Sequence, residues 1–196
     1  MPQQDHKSVR TAGSASSRPG RELLSRGRIA RRVAELGDQI AARYDRGELT
    51  VLVVLSGAVI FAADLVRRLT VPVRLEFADL HSYPGCSTRS QGIQAGARLP
   101  QSLGGRDVLV VDDILDSGQT LGWLLEQVGR QGPRSLSACV LLRKDRADLR
   151  RRVEADWVGF DIEDLFVVGY GLDYDNLYRN LGGVHVLEPG QREGAP

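Results

Sequence analysis

The stretch Val108-Leu-Val-Val-Asp-Asp-Ile-Leu-Asp-Ser-Gly-Gln-Thr-Leu121 constrains this chain more than any other. Its first four residues, Val108 to Val111, are aliphatic and mostly β-branched, the composition of a buried strand. Two adjacent carboxylates, Asp112 and Asp113, end that run, and Asp116-Ser117-Gly118-Gln119-Thr120 reads as a tight turn. Beyond the turn, Leu121, Leu124, Leu125 and Val128 recur at helical spacing, so a helix is predicted to begin between Ser117 and Thr120. Strand, acidic pair, small-residue turn and helix N-terminus follow one another without a gap.

That succession suits a sugar phosphate. A helix N-terminus leaves backbone N–H groups unpaired and carries roughly half a positive charge, which attracts phosphate. Gly118 allows close approach of the backbone, and the Ser117 and Thr120 hydroxyls can donate to phosphate oxygens. Asp112 and Asp113 would repel a phosphate. They suit the hydroxyls of a ribose, or a bound magnesium ion. Asp116 falls between sugar and phosphate, where a base could reach the anomeric centre.

The rest of the chain reads as one α/β domain. Residues 1 to 20 are polar, rich in Ser, Gly, Arg and Gln, and are expected to form a disordered tail ahead of a domain spanning 21–190. Ile29, Val33, Leu36 and Ile40 step at helical spacing, with Arg31, Arg32 and Glu35 on the outer face. Thr50 to Leu55 is a continuous aliphatic run, as in a central parallel strand. Ser56-Gly57 is a turn, and Ala58 to Leu69 reads as the next helix. Val71, Val73, Leu75 and Phe77 alternate as a second strand. Residues 82 to 104 form a long segment rich in Gly, Ser and Gln, of the kind that is functional or disordered, with Leu99 to Leu103 as a short returning element. Leu136 to Leu142 is another buried strand, Arg143 to Arg152 a solvated charged connection, and short strands are predicted near 157–159, 166–168 and 184–187. Alternating strands and helices predict an open parallel sheet with ligands at the carboxyl ends of its strands.

Composition excludes several alternatives. Hydrophobic residues make up 42% of the 196, enough for a real core, and the net charge of +1 gives no general bias toward nucleic acid or membrane. Cys86 and Cys139 match no zinc spacing and cannot form a disulfide framework. No segment approaches the roughly 20 apolar residues of a membrane span, and the first residues lack the apolar core of a signal peptide. A soluble cytoplasmic protein is expected. Neither a Walker phosphate loop nor a dinucleotide glycine fingerprint is present.

The run Val110-Val-Asp-Asp-Ile-Leu-Asp-Ser-Gly-Gln-Thr120 resembles the signature of type I phosphoribosyltransferases, which bind 5-phosphoribosyl diphosphate. Further segments resemble the hypoxanthine-guanine branch of that family. Leu55-Ser56-Gly57-Ala58 matches its pyrophosphate loop, where a non-proline cis peptide joins the residues corresponding to Leu55 and Ser56. Many members carry Lys or Arg where this chain has Ser56. Ser82-Tyr83 resembles the dipeptide of a loop that closes over the reacting centre. Leu141-Leu142-Arg143-Lys144 makes Lys144 the candidate donor to a purine 6-oxo group, with Arg143 next to it as an alternative. Val158-Gly-Phe-Asp-Ile-Glu-Asp-Leu-Phe-Val-Val-Gly-Tyr-Gly-Leu-Asp-Tyr174 closely resembles the purine-binding segment, although the family usually has Pro where Glu163 stands.

The resemblance implies a type I phosphoribosyltransferase fold: a mainly parallel central sheet flanked by helices, with a small hood formed by N- and C-terminal segments. It implies Mg²⁺-dependent transfer of a phosphoribosyl group to N9 of hypoxanthine or guanine. Asp112 and Asp113 would hold ribose and metal, and Asp116 to Thr120 the 5-phosphate. Ser56, Gly57 and Arg179 would meet pyrophosphate. Lys144, Phe166, the Val167 backbone and Asp173 would meet the purine, with Asp173 also near a second magnesium. Asp116 would be the base, and Ser82 and Tyr83 would close the site. Dimers or tetramers are implied, with small molecules as the other partners. A xanthine-preferring enzyme is the alternative among enzymes; a regulator that keeps the fold and binds the diphosphate or RNA without turnover is another, against which the complete set of site residues and the near-neutral charge argue.

Overall fold

The computed structural model describes residues 19–80, 98–146 and 153–188. Its centre is a five-stranded sheet built from β2 (Leu49–Leu55), β3 (Val73–Asp79), β4 (Asp107–Leu115), β5 (Ser135–Asp145) and β6 (Trp157–Glu163), in the order β3-β2-β4-β5-β6. Every neighbouring pair is parallel. The predicted open parallel sheet is therefore the observed one.

Both faces of the central strands are covered, which is why they read as unbroken apolar runs. Val51, Val53, Leu109, Val111, Cys139 and Leu141 pack on one side with α1 (Arg26–Arg43) and α2 (Val59–Val66). Leu52, Val54, Val108, Val110, Ala138 and Val140 pack on the other with α3 (Gln119–Gly129). Burial pushes the Cys139 thiol up, so it serves as a core residue. Helix α1 starts three residues before its first buried apolar residue, Ile29, because Ser25 caps it by accepting from the Arg28 N–H.

Several expected boundaries move, each for a pairing reason. β4 does not stop at the acidic pair. It runs through Asp112 and Asp113 to Leu115, because Asp112, Ile114 and Leu115 pair with Val140, Leu142 and Arg143 of β5. β5 likewise absorbs Arg143, Lys144 and Asp145, the start of the expected solvated connection, since β6 pairs them with Asp161, Ile162 and Glu163. Helix α2 is shorter than 58–69 and β3 starts at Val73 rather than Val71. Leu75 and Phe77 alternate as predicted but are about half exposed, because β3 lies at the sheet edge. Residues 99–103 form no strand or helix; Arg98 bridges Asp79 and Leu103 is buried. Arg32, expected on the outer face of α1, turns inward and donates to the Gly159 and Val158 carbonyls at 2.9 and 2.8 Å. It thereby covers the exposed edge of β6.

A second, three-stranded antiparallel sheet joins β1 (Glu22–Leu24), β8 (Val184–Val186) and β7 (Val167–Val168). It brings the start and the end of the described chain together as the expected hood. Among the described residues, no helix is long and apolar enough to cross a membrane. The tail before residue 19, together with Ser82, Tyr83 and Cys86, lies outside the described residues.

Candidate active site

The carboxyl ends of β2, β4 and β5 converge, as an open parallel sheet requires. β2 delivers Ser56 and Gly57 through a cis Leu55–Ser56 peptide bond, β4 delivers Asp112 to Asp116, and β5 delivers Lys144. Two adjoining cavities open there. One, of about 270 Å³, is lined by Leu55, Asp112, Asp113, Asp116, Ser117, Gly118 and Thr120 among others. The second, of about 230 Å³, is lined by Lys144, Phe166, Val167, Leu172 and Asp173, and shares Asp113, Ile114 and Asp116 with the first. A larger cavity of about 680 Å³ lies between α1, α2 and residues 170–182 and contains none of these groups.

The first cavity has the features of an anion and hydroxyl site. Gly118 is the N-cap of α3, in the left-handed region at φ 75°, a conformation that glycine adopts without strain. It offers no side chain to the first turn. The Ser117 hydroxyl accepts from the Gln119 N–H at 3.3 Å, which leaves its own O–H to donate outward. Asp112 is almost wholly buried, and its carboxylate accepts from the Asp113 N–H at 2.9 Å. Burial raises the Asp112 carboxyl well above the usual carboxylate range, and the charge of Asp113 adds to the effect. Burial raises Asp113 as well, opposed by its hydrogen bonding with Asp112 and the local backbone and, least, by the charge of Arg179. Gly57 lies directly against Asp113; a Cβ there would overlap the Asp113 carboxylate.

The second cavity is apolar with a charged rim. Phe166 is held edge-on by Tyr174, ring centres 5.8 Å apart at 87°, which fixes its face for stacking. Lys144, not Arg143, reaches this cavity. Arg143 is engaged with Asp161 at 2.6 Å and with Glu154 at 3.2 Å. The Lys144 ammonium stands 2.9 Å from Asp164 and 3.7 Å from Asp116. Asp173 accepts from the Asn176 N–H and pairs with Arg179, both at 2.8 Å, while Arg179 also donates to the Gly171 carbonyl at 2.7 Å.

Comparison with known proteins agrees with this geometry. Residues 20–175 match the family model described as phosphoribosyl transferase domain. This chain belongs to the phosphoribosyltransferase family. It is 45% identical over 174 residues to the hypoxanthine-guanine phosphoribosyltransferase of Mycobacterium tuberculosis, covering 85% of each chain. It is 41% identical over 173 residues to the hypoxanthine phosphoribosyltransferase of Haemophilus influenzae, covering 85% of this chain and 95% of that one. Among solved structures, a lysine-to-arginine mutant of Trypanosoma cruzi hypoxanthine phosphoribosyltransferase in a ternary substrates complex superposes with a TM-score of 0.81. There the identity is 37%, over 88% of this chain and 97% of that one. The parallel sheet with its terminal hood is the type I phosphoribosyltransferase fold.

Two residues of this phosphoribosyltransferase site carry no signal of their own in the sequence. Asp164 stands 2.9 Å from Lys144, Arg146 stands 3.2 Å from Asp116, and the two are 3.5 Å from each other. Asp164 lies within the purine-segment resemblance, but only the fold shows it facing Lys144. Arg146 sits in a charged run where nothing distinguishes it from its neighbours.

Burial of the Asp112 carboxylate makes a prediction about stability. The Asp112 carboxyl is raised in the folded chain, so its charged form costs stability above that raised value. The cost disappears as pH falls below the unfolded carboxylate range, near ~4. In chelated, substrate-free protein, Asp112→Asn is expected to melt higher at pH 7, by roughly 2–4 °C for each kcal/mol relieved. The gap should close toward pH 4. Thermal melts across that range check it; a variant that melts lower at pH 7, or a gap independent of pH, would count against charge burial as the cause.

Proposed function

We infer that this chain transfers the 5-phosphoribosyl group of 5-phosphoribosyl diphosphate to N9 of hypoxanthine or guanine, giving IMP or GMP and pyrophosphate. The observation that carries this reading is the pair of adjoining cavities with Asp116 in both walls. One has a phosphate-binding turn and a carboxylate pair; the other has an aromatic face and a lysine.

In this reading the N-terminus of α3, with Ser117, Gly118, Gln119 and Thr120, holds the 5-phosphate. Asp112 and Asp113 accept hydrogen bonds from the ribose hydroxyls, which fixes C1′ between the cavities. Ser56, Gly57 and Arg179 receive the departing pyrophosphate. Phe166 stacks on the purine, and the Val167 backbone reads its edge. Lys144 donates to the 6-oxo group; an ammonium there rejects adenine, whose 6-amino group is also a donor. As N9 attacks, Asp116 accepts the N7 proton. Ser82 and Tyr83 close the site against water.

The residues fit magnesium. Asp112 is buried and the adjacent Asp113 half-buried, carboxylates whose charge an ion would offset, and no cluster of three metal-ligating side chains occurs among the described residues. Such a pair suits an ion that keeps water and substrate oxygens as its other ligands. Asp112 and Asp113 would hold one ion and Asp173, mainly through water, a second; the two ions would supply charge neutralisation of the leaving pyrophosphate. We propose further that residues 21–190 act as one domain behind an N-terminal tail, in a cytoplasmic homodimer or homotetramer.

A spectrophotometric assay with 5-phosphoribosyl diphosphate, Mg²⁺ and four bases in parallel tests the reading. Turnover is expected with hypoxanthine and guanine and not with adenine. Turnover of xanthine alone would keep the chemistry and overturn the base assignment. Binding of the diphosphate without turnover of any base would overturn the catalytic reading.

A further inference from the structure

We propose that Arg146 is a positioning residue that keeps Lys144 available to the purine 6-oxo group by holding Asp116 and Asp164 in place of it. The proposal rests on the purine-site reading above and extends it to a residue outside the pocket wall.

The four groups form a closed ring of alternating charge. Lys144 Nζ stands 2.9 Å from Asp164 Oδ1 and 3.7 Å from Asp116 Oδ2. Arg146 Nη1 stands 3.2 Å from Asp116 Oδ1, and its Nε 3.5 Å from Asp164 Oδ2. Each carboxylate therefore uses one oxygen for the lysine and the other for the arginine. The Arg146 guanidinium donates a hydrogen bond to Asp116, while its Nε meets Asp164 at ion-pair distance outside hydrogen-bonding geometry, so it holds Asp164 by charge. An ammonium is a compact point charge and must divide itself between them.

Only one of the two cations lines the purine cavity. Lys144 does, together with Phe166 and Val167; Arg146 is not among the residues of its wall. The Lys144 side chain is 14% exposed, so its ammonium has little water to compensate it and follows the nearest carboxylate. Asp116 lies on the shared wall of the two cavities, 3.7 Å from that ammonium, and losing the Arg146 charge would strengthen its pull on the ammonium across the base-binding space. With Arg146 sharing the Asp116 charge, the shorter lysine contact is to Asp164, on the loop that leads into Phe166. Lys144 is then anchored at the side of the pocket, with N–H groups left for a carbonyl.

The effect should be confined to ligands that carry the 6-oxo group. Calorimetric titration with IMP and with purine riboside 5′-monophosphate, which lacks that oxygen and carries an acceptor N1 where IMP has an N1–H donor, compares how removing Arg146 affects each. Arg146→Ala is expected to weaken IMP by about tenfold while leaving the other nucleotide within about twofold. Arg146→Lys, which keeps the charge but loses the fork, should fall between parent and Ala variant. In a Lys144→Ala background the loss on removing Arg146 should vanish, since its effect passes through that lysine. Arg146→Gln carries the same test if the Ala variant does not fold, as judged by thermal melting. Equal weakening of both nucleotides, no weakening of IMP, or an undiminished loss in the Lys144→Ala background would overturn the proposal. A parent chain that binds neither nucleotide would overturn the purine-site reading itself, and this inference with it.

Discussion

Asp116→Asn is expected to lower turnover by about 10²–10⁴-fold, the range typical of losing a positioned general base, while 5-phosphoribosyl diphosphate binds within a few-fold of the parent. Asn keeps the size and hydrogen-bonding reach of the side chain but cannot take up a proton. Asp116 stands in the walls of both cavities, at the junction where N7 of a stacked purine would face the ribose. In the proposed reading the diphosphate depends on other groups: the first turn of α3, the Asp112–Asp113 pair and Arg179. Single-turnover rates set beside equilibrium titration of the diphosphate separate the two roles. Equal losses in rate and in diphosphate affinity would show that Asp116 binds and does not serve as the base.

The second large effect is steric. Gly57→Ala is expected to reduce activity by two or more orders of magnitude while the chain stays folded. A Cβ at Gly57 would overlap the Asp113 carboxylate and displace it from the ribose and metal position. The atoms in the way belong to a side chain that can rotate, so the damage falls on the site. Gly171→Ala supplies the contrast. Gly171 has φ 103°, a left-handed conformation that costs a side chain about 1–3 kcal/mol, and its added Cβ would meet the Gly57 backbone carbonyl. That variant should lose melting temperature as well as activity. Melting curves beside turnover rates check both. Full activity in Gly57→Ala would mean that Asp113 has room to move without consequence.

Much of this site is legible in the linear order because it is local. Asp112 to Thr120 is one strand end, one turn and one helix start, so nine consecutive residues supply the acidic pair and the groups proposed as base and phosphate cradle. Phe166 to Asp173 likewise forms one wall of the purine cavity from a single short segment. The parallel sheet is legible too, since strands buried on both faces read as near-continuous apolar runs, as in Val51 to Leu55. Strand ends are less legible. Asp112, Asp113, Arg143 and Lys144 are charged, so composition alone ends β4 and β5 before them; lateral pairing with neighbouring strands carries each strand past its charges.

The sequence by itself determined which chemical groups this protein has and, through short-range rules, the elements that present them: the turn, the helix N-terminus and the apolar strands. Only the tertiary structure decided which charges meet. Lys144 and Asp164 are 20 residues apart and Arg146 and Asp116 are 30 apart, and they touch because β4, β5 and β6 are adjacent and parallel, so their carboxyl ends share one edge. Arg143 and Lys144 are neighbours in the chain, yet one is bound to Asp161 and the other enters the purine cavity. An extended strand sends successive side chains to opposite faces, and the packing of the sheet then decides which face holds the ligand.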